Sequence, residues 1–226
     1  MPRIKELTAA KVTDERSREH ALAVLEEVYR GEKHWVTRPE EIFPEEDLEN
    51  PAISWFLARM GSRPVGVTRV LYEIPVALYN EYQFELVDGD IDVEAFIRDN
   101  RIAEIGRFAV VPGYRRRIRI AAILMRAATT ETVERGFTHF ITDVFEGEPN
   151  SPYHFHKGVL GFRTVATHEV GELRFQGRRI TMLLDIRDAY LRLRQGKNWI
   201  FRYITESWSD QLIQKLMTPV VRAQRP

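Results

Sequence analysis

At 226 residues the chain is long enough to bury a sizeable core in one domain and short for two. Cysteine is absent, which excludes disulfides, thiolate nucleophiles and cysteine-ligated metals. The 33 basic side chains balance 33 acidic ones, a neutrality that speaks against a general nucleic-acid binder, whose affinity depends on neutralising phosphates. The charge is patchy: residues 40–49 are acidic, Arg115, Arg116, Arg117 and Arg119 fall within five positions, and 174–194 is basic again. No early apolar stretch fits a signal peptide and no run approaches a membrane span, so a cytoplasmic protein without a transmembrane segment is expected.

In chain order, residues 14–30 place Ala21, Leu22, Leu25, Val28 and Tyr29 on one broad helical face, with Gly31 as a stop. Residues 32–51 carry prolines at 39, 44 and 51 and no steady period, which reads as a long ordered loop covering something. Residues 53–59 and 65–72 read as a hairpin about the turn at 61–64. The aromatic stretch 76–86 reads as irregular, followed by a turn at Asp88, Gly89 and Asp90 and a short helix over 91–98.

The clearest unit comes next. An apolar strand over 102–111 ends at Pro112 and Gly113, and a helix over 118–135 offers Ile120, Ile123, Leu124, Ala127 and Ala128 for burial. Gly136 suits the left-handed position that ends a helix, and 137–144 is the next strand, a crossover of the kind that makes a parallel pair. A short helix is expected within 150–159, then strands over 162–170 and 180–186 with Gly177 in the turn between them. The tail, 187–226, is too apolar for disorder. It is expected as a helical extension of the domain formed by 1–186, packed on that domain or serving as the face of a homodimer.

Four passages, 56–70, 104–124, 136–144 and the Leu-Gly-Phe run at 160–165, occur in an order that resembles the GNAT (Gcn5-related N-acyltransferase) family. The resemblance implies an α/β fold, with a mixed, mostly antiparallel central sheet flanked by helices. The donor-binding turn of that family is matched by Val110, Pro112 and Arg115, but its two glycine positions hold Ile118 and Ile120. Those glycines let backbone amides approach a pyrophosphate, and a β-branched side chain is bulkier and stiffer. A narrower resemblance, Tyr29, Glu32 and Trp35 after the first helix and Glu104 with Arg107 in the long strand, is to the acyl-homoserine-lactone and long-chain N-acyl amino acid synthases. Gly106 stands where that branch has a serine.

By that resemblance the chain is an N-acyltransferase that moves an acyl group from a phosphopantetheine thioester directly to the amine of an amino acid or similar small molecule. The favoured donor is acyl-carrier protein. The alternatives are an acetyl-coenzyme A-dependent enzyme and an inactive GNAT-like binding protein. No permanent cofactor, metal or nucleic-acid partner is implied. The backbone of Ala109, Val110 and Val111 would face the pantetheine arm, and Arg115, Arg116, Arg117 and Arg119, at a helix start, would hold phosphate or meet the carrier. Glu104 is the candidate base, with Arg107 holding an acceptor carboxylate; an extended strand puts the two on opposite faces. Glu32, Trp35 and Asp143 are candidate acceptor contacts. The family's thiolate-protonating tyrosine falls four residues before Gly161, where this chain has Lys157, so Tyr153 and His156 are the candidate acids. His154 and His156 lie near Glu146 and Glu148, without a third metal ligand at a convincing spacing.

Overall fold

The computed structural model describes residues 6–72, 84–87, 93–196 and 198–218. The expected irregular stretch up to residue 83 and the turn at 88–90 lie outside them. The chain divides into two compact units: Met1–Glu73, Ile105–Thr129 and Glu172–Phe175 form the first, and Ile74–Glu104, Thr130–Gly171 and Gln176–Pro226 the second. The elements in order are β1 (Leu7–Lys11), α1 (Glu15–Leu25), β2 (Ile53–Met60), β3 (Arg63–Leu71), β4 (Glu85–Leu86), α2 (Val93–Asp99), β5 (Ile102–Val110), α3 (Ile118–Glu134), β6 (His139–Phe145), β7 (Arg163–His168), β8 (Arg179–Asp185), α4 (Ile186–Gln195), α5 (Trp199–Thr205) and α6 (Asp210–Met217). Strand order is β1-β2-β3-β5-β6-β8-β7-β4. The sheet is mixed and mostly antiparallel: β1 with β2, β2 with β3, β6 with β8, β7 with β8 and β4 with β7 run antiparallel, and β5 with β6 parallel.

In the first unit, α1 starts where Asp14 accepts a hydrogen bond from the Ser17 amide at 2.7 Å and Ser17 answers the Asp14 backbone, a reciprocal cap that satisfies two orphan donors. The helical period continues past Leu25 as a π-helical turn, Glu26–Glu32. The hairpin is buried on both faces, Trp55, Phe56, Leu57 and Ala58 on β2 and Val65, Val67 and Val70 on β3, which is why no clean alternation marks it. The loop expected to cover something covers this hairpin. Phe43 stacks on Trp55 with centroids 4.2 Å apart, Asp47 accepts from the Trp55 indole at 2.7 Å, and the buried Arg18 guanidinium donates twice to the Phe43 carbonyl. Gly66 sits where a Cβ would meet the Ala109 carbonyl and the Ile120 methyl at 3.1 Å, so β3, β5 and α3 close on its bare backbone.

In the second unit the crossover is parallel, as expected, with Ile102, Ala103 and Glu104 opposite His139, Phe140 and Ile141. The tail forms three helices whose apolar groups close this unit's core. Tyr190 stacks on Trp208, the Trp208 indole donates to Thr130 at 2.9 Å, and Ile200, Phe201, Ile204 and Leu216 are buried. Among the described residues no helix is long and apolar enough to cross a membrane.

Candidate active site

The first group of functional side chains grows from the π-helical turn. Its extra residue carries Glu32 to Arg115: Nη1 donates to one carboxylate oxygen at 2.7 Å, Nη2 donates to the other, and Arg115 Nε donates to the Val110 carbonyl at 3.0 Å. These bonds from Arg115, with Lys33 Nζ 3.2 Å from the same carboxylate, hold the Glu32 carboxyl below the usual range. Arg115 is thus engaged by a resident carboxylate where a phosphate was expected. Arg116, Arg117 and Arg119 remain exposed at the start of α3, Arg117 lying over the Tyr114 ring at 5.1 Å. The Val111 amide is also used inside the fold, donating to Val65 at 3.1 Å, and Ala109 is buried.

Arg107 is the unusual residue of β5. Its φ of +53° is left-handed, which costs a non-glycine residue about 1 kcal/mol or more, so the opposite-face rule for extended strands does not hold there. Its side chain is 13 % exposed and its guanidinium donates through Nη2 to Glu172, whose own side chain is half exposed, while Nε is buried with no hydrogen-bond partner among the described residues. The segment that brings Glu172 also buries Leu173, donates from the Arg174 amide to the Trp35 carbonyl at 3.0 Å, and sets Phe175 edge-on to Trp35 at 6.2 Å. Trp35 meets Tyr29 edge-on at 5.2 Å. Burial pushes the Tyr29 phenol up to about 12, with the charges of Arg107 and Arg69 acting the other way. Arg107, Glu172, Trp35 and Tyr29 therefore form one connected set. His34, at φ +55°, makes the reversal that lets the Trp35 amide return to the Tyr29 carbonyl at 2.8 Å.

The second unit holds the remaining candidates. Glu104 lies in the parallel ladder opposite Ile141. Asp143 accepts from the Thr181 hydroxyl at 2.7 Å and faces His168 Nε2 at 3.1 Å, while His168 Nδ1 lies 2.7 Å from the Val170 carbonyl. Asp143 is thus built into a side-chain network on the sheet. Tyr153 and His156 share one segment but not one environment. His156 is 2 % exposed between Phe155 and Phe162, and burial pushes its imidazole down to about 4, so it is neutral near pH 7 and does not suit the acid role expected of it. Tyr153 reaches the surface, where Lys157 Nζ donates to its hydroxyl at 2.9 Å. The structure joins Glu32 to Arg115 directly and Trp35 to Arg107 through the 172–175 segment. Sequence reasoning missed Glu172, 65 positions from Arg107, because no motif marks it.

The sequence profile of the Acetyltransferase (GNAT) family matches residues 22–162, well over half of the chain, and the protein therefore belongs to that family of acyltransferases. Acyl transfer to an amine is its class of chemistry. No curated protein matches the sequence. Among solved structures, an N-acyl amino acid synthase from uncultured soil microbes superposes with a TM-score of 0.61 at 16 % identity, covering 82 % of this chain and 94 % of its own. The aminoglycoside 6'-N-acetyltransferase from Enterococcus faecium gives 0.53 at 14 % identity, with 80 % and 97 % covered. The ribosomal-protein-S18-alanine N-acetyltransferase from Escherichia coli gives 0.52 at 14 %, with 80 % and 94 % covered. These likenesses are of fold.

Proposed function

We propose that this cytoplasmic enzyme transfers an acyl chain from the phosphopantetheine thioester of acyl-carrier protein directly to the amine of an amino acid or a similar carboxylate-bearing molecule. The observation that carries the reading is Arg107, a largely buried side chain whose Nε is buried with no hydrogen-bond partner among the described residues, held in a left-handed conformation and tied to a half-exposed glutamate. A carboxylate arriving from solvent would compete with Glu172 for the same fork of donors, the geometry in which arginine binds carboxylates best. Trp35 and Tyr29 supply an apolar wall beside it. On the donor side, Ile118 and Ile120 fill the family's glycine positions, and Arg116, Arg117 and Arg119 stand exposed. That surface suits one phosphate on an acidic carrier better than a cradled pyrophosphate.

In this reading Glu104 takes the proton of the acceptor amine, the amine attacks the thioester carbonyl, and Tyr153 gives its proton to the departing thiolate. Direct attack is favoured because the chain has no cysteine to carry an acyl intermediate. The match to an acetyltransferase family keeps acetyl-coenzyme A as the second reading.

Free thiol released from octanoyl-carrier protein, octanoyl-coenzyme A and acetyl-coenzyme A, with tyrosine or tyramine as acceptor, separates the two. The expected result is fastest release from the carrier with tyrosine, and a KM for tyrosine raised about 100-fold in Arg107→Met while tyramine is little affected, since a site built for a polar group discriminates strongly against its loss. Faster release from acetyl-coenzyme A moves the assignment to the second reading. Equal use of tyramine removes the carboxylate anchor.

A further inference from the structure

Between β6 and β7 the chain makes a π-helical turn, Phe155–Leu160, closed by Gly161 at φ +88°. The amides of Gly161 and Phe162 both donate to the His156 carbonyl, at 2.8 and 3.0 Å, and the His156 amide donates to Pro152 at 2.8 Å. Tyr153 and Lys157, four residues apart, come to the same side of this turn. Lys157 Nζ lies 5.3 Å from the Tyr153 ring centroid and donates to the phenolic oxygen at 2.9 Å. Lys157 is exposed, so its ammonium exchanges protons with water.

We infer that Lys157 is a positioning residue for Tyr153: it keeps the hydroxyl aimed, and returns a proton to it after each turnover. The inference rests on the acid role given to Tyr153 above, and adds the residue through which that role is performed. As the carbon–nitrogen bond forms and the carbon–sulfur bond breaks, the electron pair of the broken bond goes to sulfur. The Tyr153 proton follows it and leaves a phenolate. The ammonium 2.9 Å away then protonates the phenolate, and Lys157 regains its proton from solvent.

The electrostatic surroundings agree with the geometry. The hydrogen bond from Lys157 is the first cause that pulls the Tyr153 phenol below its ordinary range, and Glu146, near the end of β6, opposes it. On the same segment His154 lies edge-on to the Tyr153 ring at 5.5 Å, and His156 is buried beneath. From β7, the Thr164 side chain faces the phenol and lowers it further. Lys157 is thus the cation whose removal acts most directly on Tyr153. Lys157 also occupies the position, four before Gly161, at which the family pattern calls for the tyrosine itself. A lysine there with a tyrosine one turn earlier presents both an acid and its proton source.

Tyrosine ionisation, followed by phenolate absorbance, tests this without any substrate. The chain has eight tyrosines, so the titration of Tyr153 is isolated as wild type minus Tyr153→Phe, and again as Lys157→Met minus the double variant. The expected result is an upward shift of the isolated phenol in Lys157→Met and little shift in Lys157→Arg, which keeps the cation. Thiol release from octanoyl-carrier protein is then followed across pH. In Lys157→Met the neutral-pH rate is expected to fall about tenfold, part of the 100-fold or more that general acid catalysis supplies. The alkaline limb, where Tyr153 loses its proton, moves to higher pH, and Lys157→Arg restores both.

An isolated phenol that does not move in Lys157→Met overturns the inference, as does a phenol that moves while the alkaline limb of an active enzyme stays put. Absence of thiol release in the wild type strikes the acyl-transfer reading instead. The titration then decides the coupling of Lys157 to Tyr153 by itself.

Discussion

Among the described residues two π-helical turns carry charged groups, and they are set differently. In the first unit, Glu26–Glu32 continues a capped helix, and the charge at its end is closed by an opposite charge from 83 positions away, the paired bonds of Arg115 to Glu32. In the second, Phe155–Leu160 lies between strands, and the charge of Lys157 meets the Tyr153 hydroxyl instead of an opposite charge. Each turn inserts a residue that shifts a side chain out of helical register, a device common at functional sites. One turn spends that shift on a fixed ion pair, while the other exposes a titratable couple. Their interiors differ as well. Val28 and Tyr29 bury hydrocarbon and a phenol under the first, and an ionisable imidazole lies under the second.

The buried imidazole gives the largest expected difference. Its folded value of about 4, against an ordinary 6.5, means that the folded state refuses a proton which the unfolded chain accepts. Stability is therefore whole above pH 6.5 and falls as the pH drops towards 4, by about 3 kcal/mol at most. Denaturant unfolding at pH 7 and pH 4.5 should show this loss in the wild type and much less of it in His156→Phe, which keeps an aromatic ring between Phe155 and Phe162. An equal loss in both proteins would place the acid sensitivity elsewhere.

The glycines of the two turns come next. Gly161 is left-handed, and a Cβ there would run into the Arg192 guanidinium, which donates to the Leu160 carbonyl at 3.0 Å. Gly161→Ala should lose about 2 kcal/mol, from the strained backbone and the displaced hydrogen bond together. At Gly31, where no positive φ is required, a Cβ meets only the Glu26 carbonyl, at 3.3 Å. Gly31→Ala should change stability by less than about 0.5 kcal/mol, because alanine's better helix propensity offsets a slight crowding. Matching losses at both positions would erase the contrast between a helix extension and a turn between strands.

How much of this was legible depended on whether the signal was local. The β5–α3–β6 crossover could be read because an apolar run, a proline, a helical period and Gly136 follow one another along the chain. The helix of 14–30 was read with its length nearly right, but not its change to π geometry, which leaves the apolar spacing almost unaltered. β1 was not anticipated, since an edge strand of five residues buries little and shows a weak pattern. Ile123 and Ala127 are only partly buried because the helix turns Ala122 and Met125 inward instead. The tail was recognisable as apolar, whereas its partner, the core of the second unit, was not. Among the candidate residues, Glu32, Trp35, Arg107, Arg115 and Tyr153 carry chemistry visible in their types and neighbours. Their actual partners were out of reach of spacing: Glu172 for Arg107, Arg115 for Glu32, and burial itself for His156. A left-handed arginine inside a strand has no sequence mark at all.

A small effect on stability is also expected at Glu32, and it bears most directly on the donor. Arg115 holds its carboxyl below the usual range, so the pair contributes above the unfolded value of the carboxyl, and the contribution is lost as the pH falls through the folded value. Both side chains are partly exposed, at 29 % and 20 %, and solvent screening limits the pair to less than about 1 kcal/mol. Glu32→Gln should therefore be slightly less stable than wild type at neutral pH and equal to it in acid, with the gap narrowed by salt. The same substitution removes the carboxylate that competes with a phosphate for the Arg115 guanidinium. If the pair is a resting state that a donor phosphate displaces, Glu32→Gln should bind coenzyme A about fivefold more tightly, the equivalent of the roughly 1 kcal/mol no longer spent on breaking it. Weaker binding in that variant would mean instead that Glu32 holds Arg115 in its working position. The first turn would then resemble the second, both presenting a pair whose two members act together on the ligand.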